Sequence, residues 1–258
     1  MPYLQCPTHR LYYTVDASGQ GPWLTFFHAL GVDSDMWSEQ YHAFAGIYRI
    51  LAVDMRGHGR SEQVTGPSSM RDMAQDVVTL WDGLGIERSH VCGLSMGGLI
   101  AQALCLHSPT RVARSVISCM SANGGSLDAW TSRMDTVRTH GLASLVMPTL
   151  ERWFTAPFRQ LHPERVAAIG ACLQQTSIAG YLAACQAIAA TDFTPDLARI
   201  QGAVCVIAAE HDVAFPPETL QRFAHALPNA CFHCIAGAHM CPLESPTQFN
   251  AILADFLG

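Results

Sequence analysis

A chain of 258 residues that is 49% hydrophobic can bury a sizeable core, as one large α/β domain or two small ones. Its net charge of -6, with no basic cluster, argues against nucleic acid as a partner. No Lys occurs, so all 15 basic side chains are Arg and a lysine Schiff base is excluded.

Taken in order, Arg10–Asp16 has strand composition and residues 17–22 close it as a turn. Trp23–Phe27 is almost wholly apolar, the pattern of a strand covered on both faces. The loop His28-Ala29-Leu30-Gly31 follows it, then a helix over 34–45, a strand over 48–54 and the turn Arg56-Gly57-His58-Gly59-Arg60-Ser61. Residues 70–84 have helical spacing, with Met73, Val77, Leu80 and Leu84 on one face. A strand at 89–92, a helix at 99–106 and a strand at 114–120 continue the alternation, which predicts a doubly wound, mostly parallel α/β sheet. After Met120 the pattern changes. From 128 to 190 only helical segments occur, punctuated by Gly141, Pro148, Pro157, Pro163 and Gly180. Strands return at 203–208 and 230–235, with helices near 218–226 and 247–257. The expected organisation is a core of residues 1–121 and 191–258, with 122–190 inserted as a helical unit.

Most of the 10 cysteines, Cys92, Cys105, Cys119, Cys172, Cys185 and Cys205 among them, fall inside apolar patterns, where a free thiol behaves as a small hydrophobe. Cys231-Phe232-His233-Cys234 lacks a second cysteine pair at zinc spacing, so no metal is expected. With no signal-like or membrane-spanning run, a reducing cytoplasm is the expected compartment.

The chemistry centres on Gly93-Leu94-Ser95-Met96-Gly97, a Gly-x-Ser-x-Gly corner between a strand and a helix. Glycines at 93 and 97 let strand and helix close on the corner, which pushes Ser95 outward as a nucleophile. Serine needs a base, and that base needs an acceptor to fix its tautomer. His239 and Asp212 both follow late strands, whose carboxyl ends share one sheet edge with Ser95. The order Ser, Asp, His suits that topology. His28 and His58 are the rival bases and Glu210 the rival acid. Attack on a carbonyl builds an oxyanion, and losing one of its donors costs about 3–4 kcal/mol. The backbone N–H groups of Met96, at a helix start, and of Leu30 are the expected donors.

These segments, with Trp37, the Asp54-to-Ser61 turn, His211-Asp212 and Gly237-Ala238-His239, resemble the α/β-hydrolase family over essentially the whole chain. The resemblance implies an α/β-hydrolase fold with a helical cap inserted after the sixth strand. Within the family, Glu151-Arg152-Trp153-Phe154-Thr155 and the 180–188 segment resemble the cap of 3-oxoadipate enol-lactonases, cofactor-free enzymes of bacterial aromatic catabolism. His28-Ala29-Leu30-Gly31 departs from the Asn-Ser-Leu-Gly that many of them resemble.

An enol-lactone of that class carries a carboxylate, so Arg133 or Arg152 is expected to meet it, with Met147, Trp153 and Phe154 as apolar wall and His28 bordering the substrate. The expected enzyme needs no cofactor, takes a small ester or lactone, and is a monomer or homodimer. A carboxylesterase or lactonase for another ring would use the same triad, as would a cofactor-free perhydrolase or haloperoxidase. A ligand-binding protein on the same fold is the alternative outside catalysis.

Overall fold

The computed structural model describes residues 2–64 and 66–258; Met1 and Thr65, both inside the expected core range, lie outside the described residues. Eight strands form one sheet: β1 (Tyr3–Gln5), β2 (Arg10–Asp16), β3 (Trp23–Phe27), β4 (Arg49–Val53), β5 (Ser89–Leu94), β6 (Val112–Ser118), β7 (Val204–Ala209) and β8 (Ala230–Ile235). Their spatial order is β1-β2-β4-β3-β5-β6-β7-β8. The pairs β1·β2 and β2·β4 are antiparallel and all others are parallel. β1 is the strand that the sequence does not announce, and it makes β6 the sixth strand.

Alternation along each strand builds two apolar layers. Leu51, Val53, Val91, Ile117 and Val206 face one way and meet α2 (Met70–Gly83), α3 (Met96–His107) and α9 (Pro217–Ala226) through Val77, Leu80, Leu104 and Leu220. Leu24, Phe26, Ile50, Leu94 and Ile207 face the other way and meet Phe44 of α1 (Ser38–Phe44). Phe249 and Leu253 of α11 (Pro246–Leu257) complete that layer. Helix α2 begins on a capping box, with the Ser69 hydroxyl accepting from the Asp72 N–H and the Asp72 carboxylate accepting from the Ser69 N–H. The expected helix over 34–45 is divided into a 3-10 turn, Ser34–Trp37, and α1.

Between β6 and β7 the chain forms only helices: α4 (Leu127–His140), α5 (Ala143–Trp153), α6 (Ala156–Leu161), α7 (Pro163–Gln175) and α8 (Ile178–Ala189). The two ends of this stretch meet at an antiparallel bridge between Asn123 and Asp192. Its apolar faces join both core layers, through Tyr181 and Ala184 on one side and Trp153 and Phe158 on the other. The start of α8 crosses the turn after β4 so closely that a Cβ on Gly180 would strike the Gly57 carbonyl oxygen.

Buried Asp54 pins the loop after β3. One carboxylate oxygen accepts from the Ser34 N–H (2.9 Å) and hydroxyl (2.5 Å), the other from the Arg60 N–H and Nε (both 2.9 Å). Burial pushes the Asp54 carboxyl up, but Arg60 and Ser34 outweigh it and hold the group below its ordinary pKa. Among the described residues all cysteines are free, and no single helix is long and apolar enough to cross a membrane.

Candidate active site

Ser95 stands between β5 and α3 with φ 55° and ψ -115°, a left-handed conformation that strains a residue bearing a Cβ. The surroundings hold it there. Its N–H donates to the Ser118 carbonyl (2.9 Å), and its own carbonyl accepts from the N–H groups of Gly98 (2.8 Å) and Leu99 (3.3 Å). A Cβ on Gly93 would run into the Gly97 carbonyl, and one on Gly97 into the Phe27 carbonyl, so only glycine permits this packing. Ser95 is half-buried while its neighbours on both sides are buried.

Asp212 and His239 follow β7 and β8 at the same carboxyl edge of the sheet. Imidazole Nδ1 lies 2.8 Å from Asp212 Oδ2, and the two residues are 3% and 4% exposed. The other carboxylate oxygen accepts from the N–H groups of Ala214 (2.9 Å) and Phe215 (3.3 Å). Burial raises the Asp212 carboxyl, yet the neighbouring His239 and these backbone donors together hold it below its ordinary pKa. An ionised Asp212 requires Nδ1 to carry the proton and leaves Nε2 as an acceptor. Trp153 and Phe215 stack against the ring, with centroids at 6.2 and 6.3 Å. The Ser95 hydroxyl makes no hydrogen bond to His239 here; such contacts often tighten only when substrate binds.

Met96 opens α3, so its N–H has no intrahelical acceptor. Leu30 lies in the turn after β3, the strand paired beside β5 through Phe27 and Gly93, and both side chains sit in the same apolar layer. Gly31 has φ 79°, and a Cβ there would strike Leu173, so the insertion closes over this turn. Thr176 donates to the Gly31 carbonyl at 3.1 Å from the end of α7.

Two expected substrate contacts are corrected. His28 is wholly buried, with Nδ1 2.7 Å from the Ala29 carbonyl and Nε2 accepting from the Met55 N–H at 2.9 Å. Both ring nitrogens are engaged, Nδ1 locally and Nε2 joining the ends of β3 and β4, and burial lowers its pKa, so it is a neutral staple rather than a substrate contact. Met147 is 63% exposed, on the face of α5 away from Leu145, Thr149 and Trp153, and lines neither of the two cavities described below. The rivals also separate. His58 packs on His28 at 5.2 Å, and burial with that neighbour pushes it down to about 3; Glu210 is exposed.

Arg133 Nε donates to the Tyr181 hydroxyl (2.6 Å) and Nη2 to Thr149 Oγ1 (3.2 Å). Arg152 is exposed as a residue, yet partial burial of its guanidinium, then the charge of Arg133, lower its pKa. Neither Arg is in an ion pair among the described residues. Phe154, buried and stacked on Phe158, lines a cavity of about 670 Å³ with Arg152, Thr155, Val213 and Ala238, the residue before His239. A second cavity of the same volume, bordered by Asp33, Arg60, Arg165 and Cys172, touches none of the candidate catalytic residues.

Glu244, in the short helix α10 (Cys241–Glu244), is a site-building residue that sequence reasoning missed. Oε2 accepts from the Ala238 N–H, and Oε1 accepts from the Thr155 N–H (2.7 Å) and hydroxyl (2.9 Å). One carboxylate thus fastens the His239 loop to the insertion. Phe215 was missed likewise.

A strained serine corner, a buried carboxylate–imidazole pair on the same sheet edge and helices over that edge define an α/β hydrolase of the ester-hydrolase class. The α/β-hydrolase family model matches residues 22–246, and the chain belongs to that family. It is similar to 3-oxoadipate enol-lactonase 2 of Acinetobacter baylyi, 33% identical over 93% of this chain and 90% of the relative. It is also similar to a protein bearing the name carbamate hydrolase RutD of Caulobacter sp. (strain K31), 30% identical over 89% of this chain and 88% of that one. Among solved structures, the enol-lactonase from Burkholderia xenovorans LB400 superposes with a TM-score of 0.96 at 34% identity, covering 99% of both chains.

Proposed function

We propose that this chain opens a small carboxylate-bearing lactone, with 3-oxoadipate enol-lactone as the substrate, through Ser95, His239 and Asp212. The observation that carries the reading is the 2.8 Å His239–Asp212 contact at the sheet edge where Ser95 is held at φ 55°. The similarity to enol-lactonases across nearly the whole chain supports the substrate.

His239 Nε2 takes the Ser95 hydroxyl proton as Oγ attacks the lactone carbonyl carbon, and Asp212 stabilises the imidazolium. The N–H groups of Met96 and Leu30 receive the oxyanion. Collapse breaks the ring C–O bond, and the leaving enolate, still tethered to the acyl chain, takes the proton from the His239 imidazolium, which gives an enol acyl-enzyme and restores the neutral base. Water, deprotonated by His239, attacks the acyl carbon; Ser95 regains its proton and the enol tautomerises to the 3-oxo acid. Residues 122–190 act as a cap over this edge. Trp153 and Phe215 flank the imidazole, and Arg152 with Arg133 supplies the positive end that meets the substrate carboxylate.

The test compares kcat/KM for the enol-lactone acid, a neutral nitrophenyl ester and an alkyl carbamate. The lactone is expected to lead. In Arg152→Ala its rate constant falls about tenfold or more while the neutral ester changes little; equal losses on both remove the clamp. Preference for the carbamate favours a second reading, which the RutD relative supports.

A further inference from the structure

Three clusters of Cys, His and carboxylate side chains among the described residues bring their ligand atoms within 4.8 Å of one another. In Cys6, His9 and Asp76 the carboxylate is already held by Arg56 Nε at 2.6 Å, so a fixed cation occupies it. In Cys119, Asp212 and His239 the acid and the imidazole are spent on each other. The third cluster, Cys205, Cys231 and His233, is different. Both cysteines are free thiols, and His233 enters no ion pair among the described residues.

Strand geometry explains how the three donors meet. β7 and β8 are in parallel register, Cys205 beside Cys231 and Ile207 beside His233, and neighbouring strands lie about 4.8 Å apart. Side chains alternate along β8, so Cys231 and His233 share a face while Cys234 points to the other. The Cys-x-x-Cys spacing therefore cannot chelate as a pair. Cys231 instead finds its partners two residues along its own strand and across the ladder, an arrangement that no linear cysteine spacing announces.

We propose that Cys205, Cys231 and His233 form a binding site for one zinc-class cation on the outer edge of the sheet, separate from Ser95. Two thiolates and an imidazole suit a borderline or soft ion. On a tetrahedral zinc their donor atoms would lie roughly 3.5–3.8 Å apart, inside the 4.8 Å that bounds their present separations. Cys231 is exposed and His233 half-buried, which gives an entry path and leaves the fourth position to water. Binding converts two thiols to thiolates and releases two protons, with no change in oxidation state.

The test titrates reduced, metal-free protein with Cd2+, read by thiolate-to-metal charge-transfer absorption, and with Zn2+ in competition with a chromophoric chelator. One equivalent is expected to bind with release of two protons at a pH where both thiols start protonated. Cys231→Ser and His233→Ala should each weaken it at least about tenfold, and Cys234→Ser should leave it unchanged. Cys231 is exposed and His233 only half-buried at the sheet edge, so both variants are expected to fold and their ester turnover remains a control. Absence of a charge-transfer band, an affinity undiminished in Cys231→Ser, or a band abolished by Cys234→Ser would each overturn the proposal.

Discussion

Asp212→Asn isolates the acid's role with almost no change in shape, and the structure fixes which way the new amide must turn. In the native site Oδ1 accepts two backbone N–H groups, at 2.9 and 3.3 Å, so that position must remain an oxygen. The amide NH2 is then forced to the position of Oδ2, 2.8 Å from His239 Nδ1. A donor facing Nδ1 drives the proton to Nε2, and an Nε2–H cannot accept the proton of Ser95. Kcat should fall about 10⁴-fold, the loss of a serine protease on the equivalent exchange, or about 5 kcal/mol of barrier. KM and melting temperature should move little, because the two backbone donors keep their acceptor. The assay is steady-state hydrolysis of the lactone and of a nitrophenyl ester, beside a thermal scan. An Asp212→Asn enzyme within tenfold of wild type, still folded, would refute the tautomer argument.

Two further perturbations address the supports of the site. Asp54→Ala removes the acceptor of the Ser34 and Arg60 donors and should cost about 3 kcal/mol of stability, or roughly 6–12 °C in melting temperature. Because the folded-state pKa of Asp54 lies below its unfolded value, its stabilisation is complete above the unfolded pKa and is lost as pH falls through the folded one. The gap between wild type and variant, followed by thermal scans, should be widest near neutrality and close in acid; a gap that widens in acid contradicts this. Glu244→Gln sets an amide donor against either the Ala238 N–H or the two Thr155 donors, whichever way it turns. About 2 kcal/mol of stability and a measurable part of kcat should go, read by denaturant unfolding and ester turnover; no change in either would show the clip to be idle.

What was legible in the chain was whatever a local pattern fixes. Ser95, Asp212 and His239 each end a strand that composition alone reveals, and a parallel sheet brings such ends together without further information. The helical stretch between β6 and β7 was visible because its apolar residues repeat at helical rather than strand spacing. β1 was not, since three residues at a sheet edge carry no period to read. His28 was misread because its role depends on the Met55 N–H at the end of another strand, a contact no local window contains. Met147 failed for a related reason: α5 has several apolar residues, and only packing decides which face turns inward. Glu244 and Phe215 act on His239 across loops whose course depends on the folded sheet, so no spacing foretells them.

In the proposed reaction Ser95 is acylated and then freed by water. Rapid mixing of the enol-lactone with wild type and with Ser95→Ala, quenched in acid and read by intact-protein mass, tests it directly. A transient adduct of one lactone mass that maps to Ser95 is expected, with turnover abolished in the variant. Undiminished turnover in Ser95→Ala, or an adduct on another residue, would contradict it.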